Sequence, residues 1–337
     1  MSIRLLARTL AGFGLCAAAL SASAYSSLVV FGDSLSDSGN NAALLTAVYG
    51  GLPPVVVSDD SFYSKLPSSA GTYSNGQVWT QYLAQSLGLQ LAPSLAGGRN
   101  FAYGGAQTGI NGNDIPALPG FPSSLRTQVD VYLNDAASVA DPNALYIVAG
   151  GGNNVRAALE AIAAGAPDPA AIGAATVAGY AADMSGMVAD LKLAGAQHVL
   201  VMNTPNFGLT PLANAMGVSA EATALSWAMD AALAGALAGS GVRIFDMYGF
   251  LTDKVAAGAA SGFSNWTNAC AAAVNACDVN TSLFWDGIHP TTLGHQQLAA
   301  AVFATAVPEP DVAALLALGL VVVAVSGARR RAAVEQR

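Results

Sequence analysis

SLVVFGDSLSDSGN, residues 27–40, is the stretch on which the fold turns. Its first half, Ser27–Phe31, is a short continuous apolar run of the kind that suits a strand covered on both faces. Its second half, Gly32–Asn40, is turn chemistry, rich in Gly, Ser, Asp and Asn. A helix is expected to begin near Ser34, where backbone N–H groups favour developing negative charge. Further apolar runs follow at Ala144–Val148, His198–Met202 and Val242–Phe245, with a weaker one near Arg99–Ala102. Between them Gln77–Leu87, Ser123–Ala137, Ala170–Leu193 and Ala213–Ala238 are helical in composition and length. Such alternation predicts a doubly wound α/β fold, a three-layer α/β/α sandwich around a central five-stranded parallel sheet. No internal repeat and no second domain is evident.

Both ends of the chain read as addresses rather than as fold. Arg4 and Arg8 precede the mostly apolar run Leu10–Leu20, and Ala22-Ser23-Ala24 closes it with small residues. That order fits a secretory signal peptide over residues 1–24; the apolar run is short for a retained anchor. At the other end Val307-Pro308-Glu309-Pro310 leads into an uncharged span at residues 312–328 and then Arg329-Arg330-Arg331. The span sits at the lower length limit for a helix crossing a bilayer, and the Arg cluster would stay cytoplasmic. A plain membrane anchor is the alternative to a processed tail.

What lies between, residues 25–307, is long enough for one large domain with a full core. It keeps 7 Lys+Arg against 18 Asp+Glu, a formal charge of −11. A surface of that sign repels phosphate backbones and argues against nucleic acid as a partner. Outside the leader only Cys270 and Cys277 remain. In an exported, oxidising setting they are expected to form one local disulfide pinning the loop ahead of Asp286. Three histidines, two paired cysteines and no H-E-x-x-H leave little material for a metal site, and no cofactor motif is present.

The loops 50–76, 104–122, 203–211 and 258–282 are rich in Gly, Pro, Ser and Asn, and each borders the carboxyl end of a predicted strand. That edge is where ligands bind in open α/β sheets. Gly32-Asp33-Ser34 lies there, and taken alone it reads as a capping turn. Phe284-Trp285-Asp286-Gly287-Ile288-His289-Pro290 sets a carboxylate three residues before a histidine. Asp286 is then placed to accept from His289 Nδ1, leaving Nε2 to take a serine proton; the alternative is a capping Asp and a surface His. His198, at the start of a buried strand, reads as a strand-end residue. His295, on the predicted final helix, reads as a packing or supporting residue.

F-G-D-S-L-S-D-S-G-N resembles the first block of the GDSL, or SGNH, hydrolases, and D-G-I-H-P their last. Asn100-Phe101-Ala102-Tyr103-Gly104-Gly105-Ala106 resembles the second block, and Gly151-Gly152-Asn153-Asn154 the third. The resemblance spans residues 31–295 and implies an SGNH, flavodoxin-like fold and a secreted esterase or lipase. It implies Ser34 as nucleophile with Asp286 and His289, and an oxyanion hole of the Ser34 and Gly105 backbones and the Asn153 amide. The family usually has Asp where Asn154 stands, which puts the support of that loop in question. Ser74-Asn75-Gly76, Trp79 and His289-Pro290-Thr291 with His295 resemble the phospholipase/lecithinase/hemolysin branch. From the residues alone, Trp79 reads as core, Asn75 as a turn former, and Asp59-Asp60 as a solvated acidic pair.

The Pro-Glu-Pro tail resembles the PEP-CTERM sorting signal of Gram-negative bacteria. It implies export to the outer surface, with a signal peptidase and an exosortase-like protease as processing partners. The substrate implied is a short-chain, lipid or phospholipid ester. Deacetylation of a surface polysaccharide and a non-catalytic surface-binding module are the alternatives.

Overall fold

The computed structural model describes residues 25–307; the expected leader and the Pro-Glu-Pro tail lie outside the described residues. The chain opens with β1 (Leu28–Gly32), α1 (Asn40–Tyr49), α2 (Trp79–Ser86) and α3 (Leu125–Asp135). Next come β2 (Leu145–Ala149), α4 (Gly152–Ala163), α5 (Pro169–Leu193) and β3 (His198–Met202). They are followed by α6 (Pro211–Ala215), α7 (Ser219–Ala236), β4 (Arg243–Phe245) and α8 (Met247–Ala257). A small pair, β5 (Asn265–Ala269) with β6 (Ser282–Phe284), precedes the last helix, α9 (Thr292–Ala306).

β1 to β4 form one parallel sheet in the order β1-β2-β3-β4, with Leu28 opposite Leu145 and Leu145 opposite His198. Successive strand residues point to opposite faces, and the sheet builds two cores from that alternation. Val29, Phe31, Tyr146, Val148, Val199 and Val201 pack with Leu125 and Val129 of α3, Met184 of α5 and Leu233 of α7. Leu28, Val30, Leu145, Ile147, Leu200 and Met202 pack on the other side with Trp79 and Leu83 of α2 and Leu298 and Val302 of α9. Both faces being covered explains why these strands read as unbroken apolar runs. The three-layer α/β/α arrangement is the one expected.

Of the five strands expected, four are formed as regular strands among the described residues. Arg99–Ala102 is no strand; Asn100 makes a single bridge to Val30. The segment does run parallel beside β1, since Val30 N donates to Arg99 O and Phe101 N to Val30 O, at 3.0 and 2.8 Å. Its remaining groups are taken up locally. Asn100 O accepts from Ser94 N at 2.7 Å and from the Asn40 side chain at 2.7 Å. Asn100 is therefore both a rung beside β1 and a hub of the first block, and the regular sheet counts four strands among the described residues.

Two helix expectations also change. The stretch Ala213–Ala238 is two helices, α6 and α7, separated at Met216–Val218, where Gly217 takes φ +70°. No helix starts at Ser34. Ser36 N and Asp37 N both donate to Asp33 O, at 3.0 and 2.9 Å, making a single turn. The Asp37 carboxylate then takes the N–H groups of Gly39 and Asn40 at 2.8 and 2.7 Å, so the first helix begins only at Asn40.

Candidate active site

Ser34 stands two residues beyond the carboxyl end of β1, in the turn just described. Its backbone N–H donates no hydrogen bond among the described residues. His289 arrives from the loop between β6 and α9, with Nε2 2.9 Å from Ser34 Oγ. Its Nδ1 is 2.8 Å from Asp286 Oδ2. All three side chains are buried.

The Asp286–His289 turn shows how one short motif serves two ends. Asp286 Oδ1 accepts from Ile288 N and His289 N at 2.9 and 2.7 Å, and Trp285 N donates to His289 O at 2.8 Å. The aspartate thus caps its own turn with one oxygen and holds the imidazole with the other. Oδ2 also accepts Ser64 N at 2.8 Å. The Tyr73 ring covers the imidazole with centroids 5.2 Å apart. A hydroxyl joined to an imidazole joined to a buried carboxylate is an arrangement that activates oxygen nucleophiles.

Two more sequence-predicted residues come from neighbouring segments, Asn153 from just beyond β2 and Gly105 from the loop that follows the Arg99–Ala102 segment beside β1. Asn153, in the first turn of α4, lines the same cleft as Ser34 and His289. Its Nδ2 donates one hydrogen to Ala106 O at 3.0 Å, and Arg156 steadies Oδ1 at 3.3 Å. Gly105 adopts φ +86°, a conformation side-chain-bearing residues rarely take, and its N–H also donates no bond among the described residues. Asn154, where the resemblance expects Asp, holds the two loops together. It accepts Thr108 N at 3.2 Å and donates to Thr108 Oγ1 at 3.0 Å, and that hydroxyl donates to Asp183 at 2.8 Å.

The cleft is lined mostly by apolar side chains. Asp33, Ser34, Asn153 and His289 face apolar walls made by Phe207, Met247, Phe250, Leu251, Leu283 and Leu298. Burial pushes the Asp33 carboxyl up to about 6, against opposing pulls from Leu35 N–H and His289. Asp37, enclosed by the first-block turn, is likewise pushed up to about 6 by burial. Neither the apolar wall nor the Ser64 N–H could be picked out in advance. The wall is assembled from four distant segments, and an amide donor leaves no mark on residue type.

Other singled-out residues fall outside the cleft. Trp79 is core beneath α9. Asn75 accepts from Thr292 N at 2.8 Å and ties its loop to the start of α9. His198 packs edge-on against Tyr25, centroids 5.3 Å apart. His295 is wholly buried with neither ring nitrogen hydrogen-bonded, and burial pushes it down to about 3. Cys270 and Cys277 are joined by a disulfide with Cα atoms 5.3 Å apart. Asp59 stays exposed and accepts from Ser61 N at 2.9 Å in its own turn; Asp60 is half-buried and accepts from Ala269 N at 2.7 Å. Among the described residues no three His, Cys, Asp or Glu side chains gather to hold a metal ion, and no helix is long and apolar enough to cross a membrane.

Residues 28–302 match the family described as GDSL-like Lipase/Acylhydrolase. The chain belongs to that family. It is 33% identical to Lipase 1 of Photorhabdus luminescens over 191 residues, covering 56% of this chain and 24% of that protein. It is 29% identical to Esterase EstA of Pseudomonas aeruginosa over 321 residues, covering 82% of this chain and 46% of that protein. This chain thus spans from a quarter to about half of these two relatives. Against the lipase/acylhydrolase of Enterococcus faecalis, a solved structure, the TM-score is 0.43 at 12% identity, over 82% of this chain and 93% of that one.

Proposed function

We propose that this protein is an exported carboxylic ester hydrolase that works through an acyl-enzyme on Ser34. The observation that carries the reading is the unbroken line Ser34 Oγ, His289 Nε2, His289 Nδ1, Asp286 Oδ2, with steps of 2.9 and 2.8 Å at the head of a cleft. Ser34 Oγ bonds to the acyl carbon as its proton passes to His289 Nε2. The C–O bond to the alcohol then breaks, and His289 returns the proton to the departing oxygen. Water repeats the sequence to free the acid. The unpaired N–H groups of Ser34 and Gly105, with the second amide hydrogen of Asn153, are the donors for the oxyanion.

The apolar wall makes an acyl chain the substrate portion that enters the cleft. Each methylene buried there contributes about 0.8 kcal/mol, or roughly fourfold in kcat/KM. The test is a series of p-nitrophenyl esters from acetyl to decanoyl, with wild type and Ser34→Ala. The reading expects kcat/KM to climb by that step until the cleft is filled, and no turnover by Ser34→Ala. Turnover confined to acetyl esters, with acetate released from acetylated glycans, would instead favour polysaccharide deacetylation. Export is proposed from the order of charge, apolar run and small residues at the start and from the Pro-Glu-Pro tail. The Cys270–Cys277 bond fits an oxidising compartment.

A further inference from the structure

Asp60 looks in sequence like half of a solvated acidic pair, yet its carboxylate is fully engaged. Oδ1 accepts from Ala269 N at 2.7 Å and from Asn275 Nδ2 at 2.8 Å. Oδ2 accepts from Asn268 Nδ2 at 3.0 Å. All three donors lie within residues 268–275, and Cys270–Cys277 closes the loop that carries Asn275. Asn275 Nδ2 also reaches Ala269 O at 3.0 Å, so the loop presents its donors as a set. Cys270 N and Ala271 N in turn donate to Phe284 O and Trp285 O, at 3.1 and 2.9 Å, immediately before Asp286.

From Asp60 the chain runs directly onto the Asp286–His289 turn. Gly287 N donates to Phe62 O at 2.7 Å, and Ser64 N donates to the same Asp286 oxygen that faces His289. The fit leaves no room for adjustment: a Cβ on Gly287 would sit 2.6 Å from Phe62 O and 2.7 Å from Asp60 O. The strap Asp60–Ser64 lies in a stretch without helix or strand from residue 50 to residue 78. A segment lacking ladder bonds of its own needs a tether to hold one amide in place.

We propose that Asp60 is a positioning residue: anchored on the loop closed by Cys270–Cys277, it holds the strap whose Ser64 N–H orients Asp286 and, through it, His289. The proposal rests on the Ser34–His289–Asp286 reading and extends it to residues that never meet substrate. Slight misplacement of such a relay acts on the chemical step more than on substrate binding.

The test compares Asp60→Ala, Asp60→Asn and the double variant Cys270→Ser/Cys277→Ser on p-nitrophenyl butanoate, with kcat normalised to Ser34 sites titrated by fluorophosphonate. Asp60→Ala is expected to lower kcat by roughly tenfold or more with KM within about twofold. Asp60→Asn, which keeps one acceptor oxygen, should show a smaller loss in the same direction. The cysteine variant should lower kcat likewise and add little to Asp60→Ala when combined with it. Wild-type kcat in a folded Asp60→Ala protein overturns the proposal, as does an effect on KM alone. Losses that multiply in the combined variant overturn the role of the disulfide loop. If Asp60→Ala does not fold, Asp60→Asn decides by the same kcat and KM criteria. Turnover by Ser34→Ala defeats the relay reading itself, whatever the Asp60 variants do.

Discussion

Replacing Asp286 by asparagine removes one charge and almost no volume, and the structure dictates which way the new amide must face. Asp286 Oδ1 receives two N–H groups, from Ile288 and His289, whereas Oδ2 receives Ser64 N–H and faces His289 Nδ1. An NH2 group on the Oδ1 side meets two donors; on the Oδ2 side it meets one, beside an imidazole that can switch tautomer. The amide nitrogen therefore turns toward His289. Nδ1 must then accept, the ring proton moves to Nε2, and Nε2 points a hydrogen at Ser34 Oγ, 2.9 Å away. A donor in that place cannot take the serine proton. The equivalent change in a Ser-His-Asp hydrolase lowers kcat by about 10⁴-fold, which corresponds to about 5 kcal/mol of barrier. Ser64 N–H loses its acceptor, costing about 1–3 kcal/mol of stability, so Tm should fall while the fold survives. The assay is kcat on p-nitrophenyl butanoate alongside thermal unfolding by circular dichroism. A folded Asp286→Asn protein within tenfold of wild-type kcat would refute the tautomer argument and the role given to Asp286.

Three further outcomes follow from the same geometry. Asn153→Ala should lower kcat by about 10²–10³-fold with little change in KM if it removes one of the proposed oxyanion donors; a tenfold or larger rise in KM at constant kcat would make Asn153 a substrate-binding group instead. Phe250→Ala, which opens the apolar wall of the cleft, should raise the ratio of decanoyl to butanoyl ester turnover, and an unchanged ratio in steady-state assays would remove Phe250 from the acyl path. For His295 the folded state holds off protonation until about pH 3 while the unfolded chain binds a proton near 6.5, so acid favours unfolding between those values. Between pH 7 and pH 5 wild type should lose about 2 kcal/mol relative to His295→Leu in urea unfolding; the buried Asp33 and Asp37 titrate in both proteins and cancel, and parallel pH profiles would contradict the buried neutral imidazole.

The strands β1, β2 and β3 were legible because both faces of the sheet are covered, which leaves no polar residue to break the apolar run. Ser34, Asn153, Asp286 and His289 were legible as neighbours because each lies in a short block whose residue types are dictated by the turn as much as by any chemistry. The segment Arg99–Ala102, which runs parallel beside β1 without forming a regular strand, was legible only in part. Its apolar residues are buried against β1, but Asn100 sends its hydrogen bonds into the first block, and composition does not reveal where a backbone bonds. Gly217 splitting α6 from α7 is a one-residue signal inside a stretch of strong helix formers. Asp60 was misjudged because an acidic residue in a loop is usually solvated, and its three partners lie more than two hundred positions away. The apolar wall of the cleft was hidden in the same way, in residues that read only as core.

The proposed chemistry requires Ser34 to be a serine made nucleophilic by His289 and Asp286. Treating the purified protein with a fluorophosphonate probe and mapping the adduct by peptide mass spectrometry tests this most directly. A single phosphonylated residue, Ser34, is expected, with labelling abolished in Ser34→Ala, strongly slowed in Asp286→Asn, and matched by loss of esterase activity. Ester turnover that persists after complete labelling, or an adduct on any other residue, would contradict it.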